Sequence, residues 1–578
     1  MAKSSTNRRT FIIRLSSIST ALAAGSVLSA CGAGSEDDDA SSSAVPISFR
    51  YGVASGDPLS DRVVLWTHAK YGDFDAISDD VELTWEIATD AGFTTIVSQG
   101  KTTAAASQSH TTKVDATGLR PGTSYFFRFR HGSNLSPVGQ TRTLPAAGVQ
   151  NVKLAVLSCS NYPAGYFHVY AEARRSGAEY ALHLGDYLYE YEAGGYASQD
   201  AQALNRMVEP PHEIISLDDY RRRYAQYRTD PDLKQLHASM PMIAIWDDHE
   251  IANDAWTDGA ENHNKATEGS YAQRVAAALK AYHEWMPIRL DASGVQSKIW
   301  RSFDFGNLLS LHMLETRLTA RNEPVSISDL ANPATAAQAQ AELVSPTRQM
   351  IGQEQQAWLA QQLQNSNATW QVLGQQVLMA RMEFPASILQ HLNAENMDAT
   401  AQQAAIAAIQ AYLTAKATAA QAPQLLTPEQ AALLDPSLNP KIGYNLDAWD
   451  GYPAAREAIF QTAYQLGKPL VVLAGDTHNA WHSDLILLDG TTKVGEEFAT
   501  SSVSSPGFEA YLSGIDPALI QQAFLGVIDS LKFLETQKRG FLLMEFTPEA
   551  ATGSWHAVDT VKSRNYQAQQ LHTASMLG

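Results

Sequence analysis

Four short apolar runs in the second part of the chain each end abruptly in residues that bind metal ions. The runs alternate with helical patterns, which predicts an α/β layout. The runs and the residues that follow them are 154–158 with Cys159, 180–185 with Asp186, 242–246 with 247–250, and 470–475 with 476–478. In open α/β sheets, ligands bind outside the carboxyl ends of the strands. We therefore expect the four ends to meet at one edge and form a dinuclear metal site.

The residue types at these ends fall into two chemical groups. Thiolate, phenolate and imidazole from Cys159, Tyr189 and His478 suit a transition metal of high charge. Ferric iron fits best, because a phenol with an ordinary pKa of about 10 needs strong polarisation to bind as phenolate. Asp248 and Asp476 supply only oxygen, which suits a hard cation such as calcium or magnesium. The two halves of the site are therefore expected to hold different metals.

A carboxylate at the position of Asp186 can hold two cations a few ångströms apart. That arrangement clamps the attacking and leaving oxygens of an in-line phosphoryl displacement. The sequence thus favours hydrolysis of phosphate esters by attack of a metal-bound hydroxide.

The motifs at these ends, and others between them, resemble the alkaline phosphatase D family. They are Cys159, Gly-Asp-Tyr-Leu-Tyr-Glu at 185–190, Trp-Asp-Asp-His-Glu at 246–250, Leu-Glu-Thr-Arg at 314–317, Gly-Gln-Glu-Gln at 352–355 with Trp358 and Leu359, Asp-Ala-Trp-Asp-Gly-Tyr at 447–452, and Gly-Asp-Thr-His at 475–478. The chain departs from the family at Glu315, where the family has Asp. The resemblance covers about residues 47–560.

This resemblance implies a fold, a pair of metals and a ligand set. The expected fold over 150–560 is an α/β (α+β) metallophosphatase sandwich of β-sheets flanked by helices. Family membership implies hydrolysis of phosphate mono- or diesters with Fe3+ and Ca2+, where Mg2+, Mn2+ or Zn2+ are alternatives for the second metal. Carried over by motif, the iron ligands are Cys159, Asp186, Tyr189 and His478, and the calcium ligands are Asp186, Asp248 and Asp476.

Two further residues are expected to be catalytic. His249 follows the ligand Asp248, as the catalytic His does in the wider metallophosphoesterase class, although it could instead orient that ligand. Arg317 could steer phosphate by bidentate contacts or form an ion pair with a neighbouring carboxylate. Asn253 is a weaker candidate for contacting the second cation or the substrate.

Residues 47–145 precede this unit and read as an all-β domain. Strand-like runs at 63–66 and 83–87 are separated by stretches rich in Gly, Asp and Ser. The segment 119–125, Leu-Arg-Pro-Gly-Thr-Ser-Tyr, resembles the turn of fibronectin type III sandwiches in which the Tyr hydroxyl ties back to an upstream carbonyl. We therefore expect a fibronectin III/Ig-like sandwich with Tyr125 at its corner.

The first 46 residues read as targeting sequence. Arg8 and Arg9 precede an apolar stretch at 18–30, which resembles a twin-arginine export signal over 1–31. The stretch closes with a lipobox-like Leu-Ser-Ala before Cys31, so we expect acylation at Cys31, a membrane anchor and a flexible tether over 32–46. The expected partners are the twin-arginine translocase and a membrane, and the expected location is the periplasm or cell surface. A plain secretory signal, with Cys31 removed, is the alternative.

The charge balance argues against nucleic acid as a stable partner. Acidic residues outnumber basic ones by 61 to 42, and the net charge is -19. Such a surface repels polyanions, so the basic run at 221–223 reads as a solvated helix face. With only Cys31 and Cys159 in the chain, no structural disulfide is expected.

A region rich in Ala, Gln and Leu at 386–438 predicts helices inserted into the phosphatase domain. They could form a lid or a surface insertion without catalytic consequence.

Two functions from different classes fit the sequence. The first is an exported alkaline phosphatase or phosphodiesterase. The second is a surface lipoprotein that binds a phosphorylated ligand without turnover. Retention of the whole ligand set favours the enzyme.

Overall fold

The computed structural model describes residues 47–578 except 73, 76–77, 393–398 and 513–514. The predicted signal peptide over 1–31, its Cys31 and the tether over 32–46 lie outside the described residues. None of the helices that the structure describes is long and apolar enough to cross a membrane.

The described part of the chain forms strands β1 to β25 and helices α1 to α13. The strands are β1 Ile47–Ser48, β2 Val53–Gly56, β3 Arg62–His68, β4 Lys70–Tyr71, β5 Val81–Ala88, β6 Ile96–Ala104, β7 Thr111–Thr117, β8 Ser124–His131, β9 Asn134–Leu135, β10 Gly139–Arg142, β11 Val152–Leu157, β12 Tyr180–His183, β13 Met242–Ala244, β14 Arg301–Phe305, β15 Leu309–Met313, β16 Trp370–Gly374, β17 Glu383–Pro385, β18 Lys441–Gly443, β19 Leu470–Ala474, β20 Ala480–Ile486, β21 Lys493–Ala499, β22 Leu531–Glu535, β23 Arg539–Phe546, β24 Ala550–Val558 and β25 Ala568–Leu577. The helices are α1 His168–Arg175, α2 Leu217–Tyr227, α3 Pro231–Ser239, α4 Tyr271–Trp285, α5 Ile327–Ala331, α6 Ala336–Leu343, α7 Gly352–Asn365, α8 Ala386–Leu392, α9 Ala399–Gln421, α10 Pro428–Leu434, α11 Pro453–Gln465, α12 Phe508–Tyr511 and α13 Pro517–Val527.

Two large mixed sheets share one hydrophobic core. Their strand orders are β25-β24-β23-β11-β12-β13-β2-β3-β7 and β14-β15-β16-β19-β21-β20-β22. Leu154 and Val156 of the first sheet lie in the same buried cluster as Val372 and Phe498 of the second. The predicted α/β (α+β) sandwich of β-sheets flanked by helices is confirmed.

Strand β19 shows why these strands read as continuous apolar runs. Val471 and Leu473 point into the core between the sheets. Leu470, Val472 and Ala474 point the other way, into a second cluster that helices α7 and α11 cover. Successive side chains of a strand face opposite sides, and here both sides are buried. A strand of this kind therefore has no polar alternation until it ends, at the predicted metal ligands.

The N-terminal strands are divided among three sheets, the smallest of which is the pair β1-β4. Strands β5, β6, β8, β9 and β10 form a separate antiparallel sheet, whereas β2, β3 and β7 extend the nine-stranded sheet. The junction is the parallel contact of β2 with β13, where Gly56 pairs with Met242. A Cβ at Gly56 would lie 2.2 Å from the carbonyl oxygen of Pro287, so a larger residue cannot occupy this crossing.

A hydrophobic core between these N-terminal strands gives them the predicted sandwich character. Val53 and Leu65 pack there with Leu83 and Phe127 of the separate sheet. The predicted corner needs one correction. The hydroxyl of Tyr125 accepts a hydrogen bond of 2.9 Å from the backbone N–H of Arg120 instead of donating to a carbonyl.

The Ala-, Gln- and Leu-rich segment forms α8, α9 and α10. These helices are joined to the main body through the second hydrophobic cluster, in which Ile388 and Tyr412 pack with Phe384 and Phe524. Lys416 of α9 also donates to the carbonyl of Gly526 at 2.9 Å. A role for this insertion as a lid stays a prediction.

Candidate metal centre

The structure brings the predicted metal ligands together at the carboxyl ends of β11, β12, β13 and β19. Their ligand atoms lie within 4.8 Å of one another in three groups: Cys159, Asp186 and His478; Asp186, Asp248 and His249; and Asp186, Asp247, Asp248 and Asp476. All of these residues are buried. Asp186 belongs to every group, which is the position required of a carboxylate that bridges two cations.

The backbone at these strand ends is turned sharply. Cys159, Asp186, Asp476 and His478 all have positive φ, between 53° and 62°. This left-handed region is uncommon for residues other than Gly, and such conformations concentrate at functional sites. These turns end the strands, and the side chains of all four residues lie in the groups of candidate ligands.

Tyr189 completes the first group. Its hydroxyl donates to Asp186 Oδ2 at 2.9 Å and lies 3.1 Å from His478 Nε2. The hydroxyl also accepts a hydrogen bond of 2.7 Å from Ser505 Oγ. His478 Nδ1 lies 2.8 Å from the carbonyl oxygen of Pro506, so Nδ1 carries the proton and Nε2 is left as the ligand atom.

Burial disfavours the anionic form of three of these donor groups and so raises their pKa values. Burial, reinforced by the charge of Asp186, raises the pKa of the Cys159 thiol and of the Tyr189 phenol well above their usual values. Burial and the charges of Asp248 and Asp476 likewise raise the pKa of Asp247. A bound cation reverses this effect, because it favours the anionic form of each donor.

Asp247 has no assigned role in the sequence analysis, although it lies in a predicted motif. Its Oδ2 is buried and has no hydrogen-bond partner among the described residues, and its Oδ1 accepts from Arg317 Nε. A buried carboxylate oxygen of this kind fits a cation. The whole donor set therefore fits a pair of metal ions. The sequence does not show whether Asp247, Asp248 or both would lie among the ligands. In the structure both lie in the group with Asp186 and Asp476.

Arg317 is fully buried among carboxylates. Its Nη1 donates to both carboxylate oxygens of Asp447, at 2.9 and 2.7 Å, while Nη2 lies 3.8 Å from Asp248 and 3.7 Å from Asp476. Burial opposes the charge of Arg317, but the surrounding carboxylates outweigh it and raise its pKa. The structure thus shows the ion pair that sequence analysis offered as the alternative to phosphate binding, and the catalytic role of Arg317 stays a prediction.

His249 is held by a carboxylate that the sequence analysis did not single out. Its Nδ1 lies 2.6 Å from Glu190 Oε2, and its ring packs 4.1 Å from the ring of Tyr189. Glu190 Oε1 accepts from the backbone N–H of Asn253 and the side chain of Asn262, both at 2.8 Å. Because the carboxylate of Glu190 accepts at this distance, Nδ1 of His249 carries a proton.

Asn253, the weaker candidate, contacts Glu190 through its backbone N–H. Its side-chain amide donates to Glu261 at 3.1 Å. This geometry makes Asn253 a support of Glu190, and contact with a cation or substrate stays a prediction.

Comparisons with known proteins agree with this geometry. Residues 154–555 match the family model described as PhoD-like phosphatase, and residues 34–145 match the model of its N-terminal domain. Alkaline phosphatase D of Bacillus subtilis (strain 168) is 34% identical over 471 residues, which cover 79% of this chain and 70% of that protein. The solved "Structure of PhoD" is 30% identical with a TM-score of 0.72, covering 93% of this chain and 91% of that one.

Proposed function

Because the chain belongs to the PhoD-like phosphatase family, we propose that it hydrolyses phosphate esters at the centre around Asp186. The resemblance to the alkaline phosphatase D family found in the motifs is thereby confirmed. The observation that carries the proposed function is the position of Asp186 in all three overlapping ligand groups. A site that merely bound a phosphorylated ligand would have no need of a complete, buried set of this kind.

The proposed metals are Fe3+ and Ca2+, with Mg2+, Mn2+ or Zn2+ as alternatives for the second. Iron would be held by Cys159, Asp186, Tyr189 and His478, and the second cation by Asp186, Asp248 and Asp476. When bound, the two cations would lower the pKa of a water molecule and stabilise negative charge on the phosphoryl oxygens.

The chain's own residues would manage the proton and the charge. His249 would donate a proton from Nε2 to the leaving oxygen, and Glu190 would hold the ring in the orientation for this transfer. Arg317 has two nitrogens engaged by Asp247 and Asp447. It would contact a phosphoryl oxygen through Nη2, a single contact in place of a bidentate one.

Export and lipid anchoring belong to the same proposal and rest on the first 46 residues. Twin-arginine export would deliver the folded enzyme to the periplasm or cell surface, where the acylated Cys31 would attach it to the membrane. Replacing Cys31 by Ser should release the protein to the soluble fraction with unchanged specific activity. Recovery of the unaltered protein as a soluble chain that begins after residue 31 would contradict the anchor.

The test of the function combines metal analysis with parallel assays of 4-nitrophenyl phosphate and bis(4-nitrophenyl) phosphate. We expect iron and a divalent cation in the purified protein and hydrolysis of at least one substrate, with the ratio of rates assigning monoester or diester preference. Absence of hydrolysis in protein that contains both metals would favour the binding protein.

A further inference from the structure

A second site lies in a cleft between the β17-β18 pair and the end of strand β20. The cleft has a volume of about 210 Å³, and its lining includes Arg381, Glu383, Asp484, Ile486 and Asp529. None of the predicted metal ligands lines it. Pockets for drug-sized ligands have volumes of roughly 300–1,000 Å³, so this cleft fits a smaller molecule.

Each of the two aspartates in this cleft is paired with two lysines. The ion pairs are Asp529 with Lys416 and Lys441, at 2.5 and 2.8 Å, and Asp484 with Lys493 and Lys532, at 2.6 and 2.7 Å. A carboxylate with two ammonium neighbours has its charge compensated. Neither aspartate therefore needs a charged ligand.

Arg381 and Glu383 are the charged residues of the cleft that these pairs do not include. Within the residues that the structure describes, no hydrogen bond or ion pair joins the side chain of either one to another group. Arg381 Nε is a buried atom, and buried donors are rarely left without an acceptor. The cleft therefore presents one positive and one negative group to a ligand.

The pKa shifts of these two groups agree with a missing partner. Burial and the charge of Asp450 raise the pKa of Glu383, against the effect of nearby cations that include Arg381. Burial and the charge of Arg456 lower the pKa of Arg381. Each group thus has too little opposite charge around it to offset its burial.

The spacing of Arg381 and Glu383 indicates the kind of ligand. The two residues are two positions apart, with the buried Met382 between them. Two positions of an extended chain span about 6.5 Å, so a molecule can be held between the two side chains. A carboxylate and an ammonium group on one carbon atom can contact both. Ile486 and Ile528 add apolar surface to the same cleft.

We propose that this cleft binds a small zwitterion, namely an α-amino acid with an aliphatic side chain. Arg381 donates to the carboxylate of the amino acid, and Glu383 accepts from its ammonium group. The aliphatic side chain packs on Ile486 and Ile528. This site goes beyond the proposed hydrolysis and does not depend on it.

The test is calorimetric titration of the full-length protein with both enantiomers of valine and with two analogues that each lack one charge. N-acetylvaline lacks the ammonium group, and valinamide lacks the carboxylate. We expect valine to bind and each analogue to bind about 10- to 100-fold more weakly, the scale of one hydrogen bond between charged groups.

Two variants connect each analogue to one residue. Glu383→Gln should remove the preference for valine over N-acetylvaline, and Arg381→Met should remove the preference for valine over valinamide. The matched controls are Glu172→Gln and Arg175→Met. These two residues line another cleft, of about 100 Å³, where they pair with each other at 2.5 Å. Both controls should bind valine as the unaltered protein does.

Four results would overturn the site. They are no binding of valine at millimolar concentration, equal affinity of the unaltered protein for valine and both analogues, unchanged preferences in folded Glu383→Gln and Arg381→Met, or tighter binding of N-acetylvaline than of valine. The last result would describe an anion site. Failure of the proposed function is distinguishable, because the titration needs no hydrolysis.

Discussion

The two sides of the metal centre differ in the charged groups that surround them. The carboxylate side, made of Asp247, Asp248 and Asp476, is arranged around the guanidinium of Arg317. The thiolate side, made of Cys159, Tyr189 and His478, is contacted by Ser158, Ser505, Pro506 and the carboxylate of Asp186. The protein thus supplies its own cation to one side and leaves the other dependent on a metal.

This difference teaches what each side does without metal. The thiol and the phenol, with raised pKa values, stay protonated and neutral. The carboxylates stay close together because Arg317 balances part of their charge. We expect the thiolate side to bind its metal with release of protons, and the carboxylate side to be ordered before its cation arrives.

The largest effects are expected when one ligand is removed from either side, which tests whether the two sides bind different metals. Cys159→Ala should lower the iron content and keep the second cation, whereas Asp476→Asn should do the reverse. Either loss should reduce hydrolysis to near background, because both cations act on the same phosphoryl group. Metal analysis and the visible charge-transfer band of bound thiolate or phenolate report the two sides separately. Unaltered iron in Cys159→Ala would remove Cys159 from the ligand set, and a colourless active enzyme containing only zinc would remove the iron assignment.

His249 contacts both sides, since it groups with Asp248 and packs on Tyr189. A variant of His249 separates its role in catalysis from metal binding. His249→Ala should keep both metals and lower kcat by about 10²- to 10⁴-fold, the usual range for general acid–base catalysis. Alkyl esters should lose most and 4-nitrophenyl esters least, because only a poor leaving group needs the proton. Equal losses would assign His249 to electrostatic stabilisation, and loss of metal would make it a ligand or a ligand support.

Arg317→Met tests whether the carboxylate side depends on the protein's own cation. Removing one partner of a buried ion pair typically lowers the free energy of unfolding by about 3–5 kcal/mol. We expect a loss of this size in urea unfolding of the metal-free protein. Arg206→Met, which breaks a buried pair with the single carboxylate Asp230, is the control and should lose less. Equal losses would show that the surrounding carboxylates add nothing to the role of Arg317.

Glu190→Gln should produce the smallest effect. The amide can still contact His249 Nδ1 but cannot stabilise a positive ring, so we expect kcat to fall by about 10- to 100-fold, the scale of supporting residues around metal sites. Metal content should stay the same, and the loss should again be larger for alkyl than for aryl esters. A loss independent of the leaving group would mean that Glu190 supports only the local fold.

The sequence was informative where burial dictates residue type. Strands such as β19 are apolar on both faces, so their ends stand out, and the residues after them are the ones that the structure brings together. Order and spacing of the motifs were enough to identify the family and the fold class. These signals are local and need no knowledge of how distant segments pair.

Features that depend on distant pairing could not be read in the same way. Asp447 meets Arg317 across 130 residues, and Glu509 meets Arg539 across 30. Nothing in the sequence near Glu190 shows that its carboxylate contacts His249. Likewise, the strand pattern of residues 47–145 predicted a sandwich but not that β2, β3 and β7 extend the larger sheet.

That sharing of strands limits how the chain can be dissected. If residues 47–145 were cut away, β13 would become a short apolar edge with unpaired backbone groups, a template for association with other chains. The cut would also remove Trp66, which donates to the carbonyl of Glu284 and fills part of the main core beside Trp285. The sequence pattern separates residues 47–145 from the phosphatase domain. Residues 150–560 produced alone should nevertheless aggregate instead of folding independently.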